Sequence, residues 1–398
     1  MPTTIRLPLL GCNNNSGDLS PRRVVAGIPA LRYGALRRTG VDQTLHILDV
    51  RLEISSDQKS LIEPFLGVFS AFFSESEGSG EAAGARPVQV RVDGAAGTYH
   101  DGSRRVALAE GRLRQAHVYN LLYTTLVRAL GGYYLLHAAV VARADRAWIL
   151  SGPSGSGKTS LGRALSERGF SLLTDDLAPL AVADGRLHPF PRRLGLARGA
   201  GEATGDYVRL GSKDFVAAAD VGLAGPGKPV RPAGVVIMNP YVGAGETPLR
   251  LQVGVLPAAA FLSGRLAALP GVTVTSTPGH GGVELLSVTV IDGSAVAAVM
   301  AEMDAADAGI LFHGHHHGQE RRWAREPRLT PMPLREAAIA LLRETLNREP
   351  RAALMVRHGG RTVSALMELL GLLVGVPCYR LEPAGIAETA VFLEKKFR

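Results

Sequence analysis

One glycine-rich segment has the composition and spacing of a loop that binds phosphate. Residues 152–159 read Gly-Pro-Ser-Gly-Ser-Gly-Lys-Thr and fit the pattern G-x-x-x-x-G-K-[ST]. Glycines let the backbone curl until successive N–H groups face phosphate oxygens. Lys158 would add a charge near the β- and γ-phosphates, and Thr159 would offer a hydroxyl to Mg²⁺. The predicted nucleotide-binding residues are Gly152, Pro153, Ser154, Gly155, Ser156, Gly157, Lys158, Thr159 and Ser160.

The residues around this loop predict the elements that must position it. The apolar run 147–150 suits a buried strand, and residues 159–168 have a helical pattern with Leu161 and Leu165 four apart. The loop would therefore join a strand to a helix N-terminus, where the helix dipole favours an anion. A chance match is the alternative, because the chain contains 47 glycines.

Two adjacent carboxylates follow the next predicted strand. Residues 170–174 read as that strand, and Asp175 and Asp176 lie at its carboxyl end. Ligands of open α/β sheets bind at the carboxyl ends of strands, so both side chains should face the phosphates. One could hold Mg²⁺ and the other could accept a proton from an attacking hydroxyl. An Asp-Asp turn on the surface is the alternative.

A single histidine interrupts an apolar run upstream of the loop. His137 lies within residues 136–141, which are otherwise apolar. Taken alone, such a histidine is more often a core residue with satisfied hydrogen bonds than a functional group.

Together these three pieces resemble the core of the HPr kinase/phosphorylase family. That family has a strand that begins at a His, a phosphate-binding loop, a helix that ends in Arg-Gly and a strand that is followed by Asp-Asp. In this chain Arg168-Gly169 corresponds to the Arg-Gly. The resemblance covers residues 136 to about 180. It implies an α/β P-loop kinase core of the HPr-kinase/PEP-carboxykinase-like type that uses ATP and Mg²⁺. It also implies that Asp175 is the general base, that Asp176 and Thr159 bind the metal, and that Lys158 and His137 act at the active site.

The chain departs from the bifunctional members of that family. The second signature, associated with phosphorolysis, is absent, and Arg192-Arg193 follows the Asp pair instead. The later segments are more similar to HPr-kinase-related proteins of bacterial peptide-modification clusters, including kinases of lasso-peptide precursors. That likeness implies a peptide or protein substrate with an acceptor serine. Arg192 and Arg193 would contact phosphate or an acidic peptide, or else form a solvated basic turn.

Two other classes of function could use this loop: a nucleotide kinase, and a non-kinase protein that binds nucleotide. A guanylate-kinase-like nucleotide kinase would suit the loop, and Gly201-Glu202, Gly205 and Tyr207 echo its acceptor segment. The Thr-Thr-Arg run of that family is missing from this chain, however. A guanylate-kinase-like function would also give no role to His137 or to the Asp pair. A non-catalytic nucleotide-binding regulator would not need the second carboxylate. A transporter-type ATPase would need a Leu-Ser-Gly-Gly-Gln-like signature, which is absent.

Composition favours a cytoplasmic enzyme. The chain has 398 residues, 46% of them hydrophobic, which is enough for a large core. The two cysteines, Cys12 and Cys378, fit a reducing compartment, and neither a signal peptide nor a spanning segment is visible. The net charge of +8 comes without basic patches interleaved with aromatics, so neither nucleic acid nor membrane is expected as a partner. Homo-oligomerisation is left open.

Pattern changes along the chain predict two domains. Residues 1–120 would form an N-terminal α+β accessory domain, with a linker at about 74–86, and residues 121–398 the kinase domain with a C-terminal helical extension. In the first domain, residues 45–54 alternate like one strand. In the second, residues 379–381 read as a final strand. Residues 313–317, which contain four histidines between glycines, read as a mobile loop, and metal binding by them is left open.

Overall fold

The computed structural model describes residues 40–74, 85–102, 104–153, 155–197, 207–210, 213–216, 228–238, 249–279, 283–291, 295–306, 309–315 and 323–397. They form a mixed α/β protein with parallel and antiparallel strands. Residues 75–84 of the predicted linker lie outside these ranges. No helix within the ranges is long and apolar enough to cross a membrane.

The described elements are numbered in chain order. The strands are β1 (Val41–Ile47), β2 (Val50–Ser56), β3 (Arg86–Asp93), β4 (Thr98–His100), β5 (Arg105–Ala107), β6 (Tyr133–Leu136), β7 (Ala138–Arg143), β8 (Arg146–Ser151), β9 (Ser171–Thr174), β10 (Ala178–Ala181), β11 (Leu194–Ala197), β12 (Tyr207–Leu210), β13 (Lys213–Val216), β14 (Pro232–Met238), β15 (Leu249–Val255), β16 (Val272–Pro278), β17 (Glu284–Val290), β18 (Ile310–His315), β19 (Arg328–Pro331) and β20 (Cys378–Glu382). The helices are α1 (Lys59–Val68), α2 (Ala71–Ser74), α3 (Arg114–Ala129), α4 (Lys158–Ser166), α5 (Phe261–Ala267), α6 (Val296–Ala305), α7 (Leu334–Arg343), α8 (Ala353–Arg357), α9 (Thr362–Leu372) and α10 (Ile386–Lys396).

The N-terminal strands form a five-stranded sheet in the order β1-β2-β3-β4-β5. Neighbours pair antiparallel except β2 and β3, which are parallel and are joined through α1 and α2. Apolar residues of α1 and α3 share one buried core with the inward faces of these strands. The division predicted at residue 120 remains a prediction, and α3 runs across that position.

The single strand predicted for residues 45–54 is wrong. The chain reverses at Leu48 and Asp49, where Leu48 has a φ of 55°, and Ile47 then pairs with Val50 in an antiparallel hairpin. More buried and more exposed residues alternate in both strands. The alternation therefore indicated strand structure correctly but did not reveal the turn.

A six-stranded sheet, ordered β19-β20-β14-β8-β7-β9, carries the glycine-rich loop near its centre. Strands β20, β14 and β8 are parallel, whereas β7 is antiparallel to both β8 and β9. Alternate residues of these strands face opposite sides of the sheet. One face packs against α4 and α10, and the other against α7 and α9. Helices on both faces explain why β8 is almost continuously apolar.

Residues 249–315 add an antiparallel sheet ordered β16-β17-β15-β18, whose core includes residues of α5 and α6. The predicted loop at residues 313–317 is wrong for its first three residues. His313, Gly314 and His315 belong to β18 and pair with β15. Residues 316 and 317 lie outside the described ranges.

The C-terminal elements complete the central sheet. Residues 379–381 are in β20, as predicted, but β20 is not the final element because α10 follows it. Leu393 and Phe397 of the last segment are buried with Leu161 and Leu165 of α4. This packing fixes the C-terminal segment against the helix that follows the glycine-rich loop.

Candidate active site

The glycine-rich loop connects β8 to α4, as the sequence predicts. Gly155 and Gly157 have φ values of 78° and 95°, a region that favours glycine. A Cβ atom added to Gly152 would lie 2.5 Å from the carbonyl oxygen of Met238. The loop can therefore take this path only with glycine at these positions, which explains their spacing in the sequence.

Lys158 is the first residue of α4 and is buried. Its Nζ atom donates hydrogen bonds to the carbonyl oxygens of Gly152, at 2.7 Å, and Pro153, at 3.2 Å. The ammonium group of Lys158 thus lies against the backbone of the loop. The hydroxyl of the neighbouring Ser156 is buried and has no hydrogen-bond partner among the described residues. A buried hydroxyl without a partner is costly, and an anion held by the loop would give it one.

His137 lies between β6 and β7, where both ring nitrogens face carboxylates. Its Nε2 is 3.1 Å from Oδ1 of Asp176, and its Nδ1 is 3.3 Å from Oε2 of Glu344. Its backbone N–H also donates to the carbonyl oxygen of Glu344 at 2.9 Å. Burial and the charge of Lys158 lower the pKa of His137, but the two carboxylates outweigh them and raise it above its usual value. His137 is therefore buried with both ring nitrogens paired, as in the core-residue alternative, but its partners are charged and favour the imidazolium form.

Asp175 and Asp176 follow β9 in a turn that Thr174 closes by donating its hydroxyl to the carbonyl of Leu177 at 2.8 Å. Both carboxylates face inward. Asp175 is only 5% exposed, which excludes a surface Asp-Asp turn. Oδ2 of Asp176 accepts a hydrogen bond from Nη2 of Arg192, and the same Nη2 lies 4.0 Å from Oδ1 of Asp175.

Arg192 is buried and belongs to this charge cluster. The chain reaches it through Phe190, whose N–H donates to the carbonyl of Leu173 in β9. Burial opposes the guanidinium charge, but Asp176 and Asp175 raise the pKa of Arg192 further above its already high value. The solvated basic turn that the sequence allowed is therefore wrong for Arg192. The backbone N–H of Arg193 donates to the carbonyl of Val68 at 2.9 Å.

The loop and the charge cluster are parts of one site. The loop follows β8, His137 precedes the antiparallel β7 and the aspartates follow β9, so all three lie at the same edge of the sheet. The charge of Lys158 partly opposes the rise in the pKa of His137, and His137 contacts Asp176. Segments that are far apart in the chain thus bring together Lys158, His137, Asp175, Asp176 and Arg192. Ser154 is outside the described residues, while Thr159 and Ser160 lie in the first turn of α4.

The donor set has the chemistry that magnesium requires. Mg²⁺ prefers oxygen ligands, and the Thr159 hydroxyl and the Asp176 carboxylate are of that type. Both oxygens of Asp176 already contact protein groups, namely His137 and Arg192. Asp176 would therefore have to exchange one of these contacts in order to coordinate an ion.

Glu344 is a member of the site that the sequence analysis missed. It follows α7 directly and contacts His137 through both its backbone carbonyl and its carboxylate. The sequence gave no sign of this role, because a glutamate at a helix end is common. The antiparallel bridge between Leu136 and Thr345 brings the two segments together.

The comparison with solved structures includes a distant likeness. The structure of the Hpr(Ser) kinase/phosphatase from Coxiella burnetii matches 29% of this chain and 67% of that chain, with 18% sequence identity and a TM-score of 0.18. A match of that extent carries no information about the site. No family model matches the chain. No curated protein matches it either.

Proposed function

We propose that this protein is an ATP-dependent phosphotransferase that moves the γ-phosphoryl group of ATP to a serine hydroxyl of a peptide or protein. The observation that carries the proposal is that the loop with Lys158 and the cluster of His137, Asp175 and Asp176 lie at the same edge of the central sheet. A loop that only bound nucleotide would not require a buried pair of carboxylates beside its lysine. A phosphotransferase requires both a phosphate cradle and a group that accepts the proton of the acceptor hydroxyl.

Each charged residue has a role in this proposal. Lys158 leaves its two loop carbonyls and binds phosphate oxygens, where its charge offsets charge that develops during transfer. Asp175 accepts the proton of the serine hydroxyl, because the guanidinium of Arg192 contacts Asp176 more closely than Asp175. Thr159 and Asp176 would hold Mg²⁺, which neutralises phosphate charge and orients the phosphoryl oxygens when bound.

His137 and Arg192 position Asp176 in the same proposal. Each of them contacts a different oxygen of the carboxylate, so the side chain cannot rotate freely. Glu344 completes the arrangement by holding the opposite nitrogen of His137. Such support matters because catalytic groups lose much of their effect when they are misplaced by about 1 Å.

The acceptor is proposed to be a ribosomally made peptide, with a lasso-type precursor as the favoured example. Support comes from the sequence likeness to HPr-kinase-related proteins of peptide-modification clusters. The rival function, phosphorylation of a nucleoside monophosphate, lacks the Thr-Thr-Arg run that would bind the second nucleotide.

Mass spectrometry of two reaction mixtures tests the proposal. The purified protein with Mg-ATP should add one phosphate to a serine of a peptide encoded beside its gene, and none to GMP or AMP. The Asp175→Asn protein is the matched control and should leave the peptide unmodified. Phosphate on the nucleoside monophosphate and none on any peptide would favour the nucleotide kinase instead.

A further inference from the structure

An exposed indole lies beside the glycine-rich loop. Trp323 is 41% exposed, although large aromatic side chains are usually well buried. Its Cη2 atom lies 3.7 Å from the position that a Cβ atom on Gly157 would occupy, and Cδ1 of Ile386 lies 3.3 Å from the same position. Trp323 and Ile386 therefore flank the residue that immediately precedes Lys158.

The backbone around Trp323 is tied to the core of the protein. The N–H of Ala324 donates to the carbonyl of Pro383 at 2.9 Å, directly beyond β20. Ile386 is the first residue of α10, whose buried residues Ala390 and Leu393 share a core with α4. The indole is thus held at a defined place relative to the helix that the loop begins.

Trp323 and the aspartate pair lie on opposite sides of the loop. In the central sheet, β7 and β9 lie on one side of β8, and β14, β20 and β19 lie on the other. The loop follows β8, the aspartates follow β9, and Pro383 follows β20. These strands are parallel to one another, so all three segments leave the same edge of the sheet. A bound nucleotide whose terminal phosphate points to Asp175 therefore extends its nucleoside towards Trp323.

We propose that Trp323 is the stacking surface for the base of the bound nucleotide, with Ile386 as an apolar neighbour. This inference rests on the proposed function, because it uses the direction of phosphoryl transfer. Base–aromatic stacking tolerates any base, since every base has a π-face. The chemistry at this position therefore predicts affinity for a nucleoside triphosphate without strong choice of base. The other tryptophan, Trp148, cannot serve, because it is buried and stacked on Phe397 at a centroid distance of 3.8 Å.

Binding of Mg-ATP compared with binding of magnesium tripolyphosphate tests this role. Tripolyphosphate has the phosphates of ATP but no base. Trp323→Ala should raise the Kd for ATP by about ten-fold to a hundred-fold, the usual effect of losing one base–aromatic stack, and leave the Kd for tripolyphosphate unchanged. Trp323→Phe, which keeps an aromatic face, should recover most of the loss. The inference would be overturned if Trp323→Ala weakened the binding of both ligands equally, or weakened the binding of neither.

Intrinsic fluorescence gives a second readout, because the chain contains only two tryptophans. Mg-ATP should change the emission of the wild-type protein, and this change should be absent in Trp323→Phe, which retains only the buried Trp148. A change that persists in Trp323→Phe would contradict contact between base and Trp323. Failure of the wild-type protein to bind either ligand would instead refute the proposed function, so the two failures are distinguishable.

Discussion

Nε2 of His137 lies 3.1 Å from Oδ1 of Asp176, inside a cluster that also contains Arg192 and Glu344. The carboxylates of Asp176 and Glu344 contact the imidazole of His137. His137 and Arg192 contact the carboxylate of Asp176. All four side chains are largely removed from water, so their mutual attractions are screened little by salt. The cluster consequently links the stability of the protein to the geometry of its candidate active site.

The first prediction concerns Lys158. Lys158→Ala removes the charge at the loop and should weaken Mg-ATP binding and reduce phosphoryl transfer by about 10²-fold or more. Titration calorimetry and the peptide assay would measure the two effects. Lys59→Ala is the control, because Lys59 is an exposed lysine in α1 and should leave both unchanged. Normal transfer by Lys158→Ala would refute the assignment of the loop.

The second prediction separates the two aspartates. Asp175→Asn should bind Mg-ATP normally but lose about 10²- to 10⁴-fold in transfer, because an amide cannot accept the proton. Asp176→Asn should instead raise the Mg²⁺ concentration needed for half-maximal activity. Single-turnover rates at several Mg²⁺ concentrations distinguish these effects. Near-normal turnover by Asp175→Asn would place the general base elsewhere.

The third prediction concerns the buried pair formed by Arg192 and Asp176. Arg192→Met or Asp176→Asn alone should lower the free energy of unfolding by up to about 3–5 kcal/mol, because each removes one partner of a buried ion pair and leaves the other less well compensated. The double variant should lose less free energy of unfolding than the two single variants lose in sum. Urea unfolding of the wild type and the three variants measures this coupling.

An exposed pair provides the control for that cycle. Nε of Arg186 lies 3.5 Å from Oδ2 of Asp184, and the two side chains are 44% and 49% exposed. Solvent screening should limit their coupling to about 1 kcal/mol or less. A coupling between Arg192 and Asp176 no larger than this value would contradict the assigned burial of that pair.

The fourth prediction is a pH dependence of stability that comes from His137. Because its pKa is raised in the folded protein, protonated His137 stabilises the fold fully below its ordinary pKa of about 6.5. This contribution disappears as the pH rises through the raised folded-state pKa. The difference in free energy of unfolding between the wild type and His137→Gln should therefore decrease as the pH rises above about 6.5.

His188 is the matched control for this measurement, because burial lowers its pKa. A histidine with a lowered folded-state pKa costs stability as the pH falls below about 6.5. His188→Gln should therefore change the pH profile in the opposite direction to His137→Gln. If the wild type and His137→Gln differed in free energy of unfolding by the same amount at every pH, an imidazolium stabilised by Asp176 and Glu344 would be ruled out.

Local patterns predicted local structure well. Strand β8, the glycine-rich loop and helix α4 follow from a short apolar run, a fixed glycine spacing and a helical repeat, each of which acts over a few residues. The hairpin turn at Leu48 and Asp49 was missed although it is also local. Its mark on the pattern is one break in the alternation, at the adjacent apolar residues Ile47 and Leu48, and such a break does not by itself indicate a turn.

The sequence by itself determined which residue types could bind phosphate and metal, and that they lie at the carboxyl ends of two strands. Only the tertiary structure decided that Arg192 is buried against Asp176, that Glu344 holds His137, and that Trp323 flanks the loop. Hydrogen bonds and ion pairs act over a few ångströms in space, whatever the separation along the chain. Their partners are therefore known only once sheet order and helix packing have brought distant segments together.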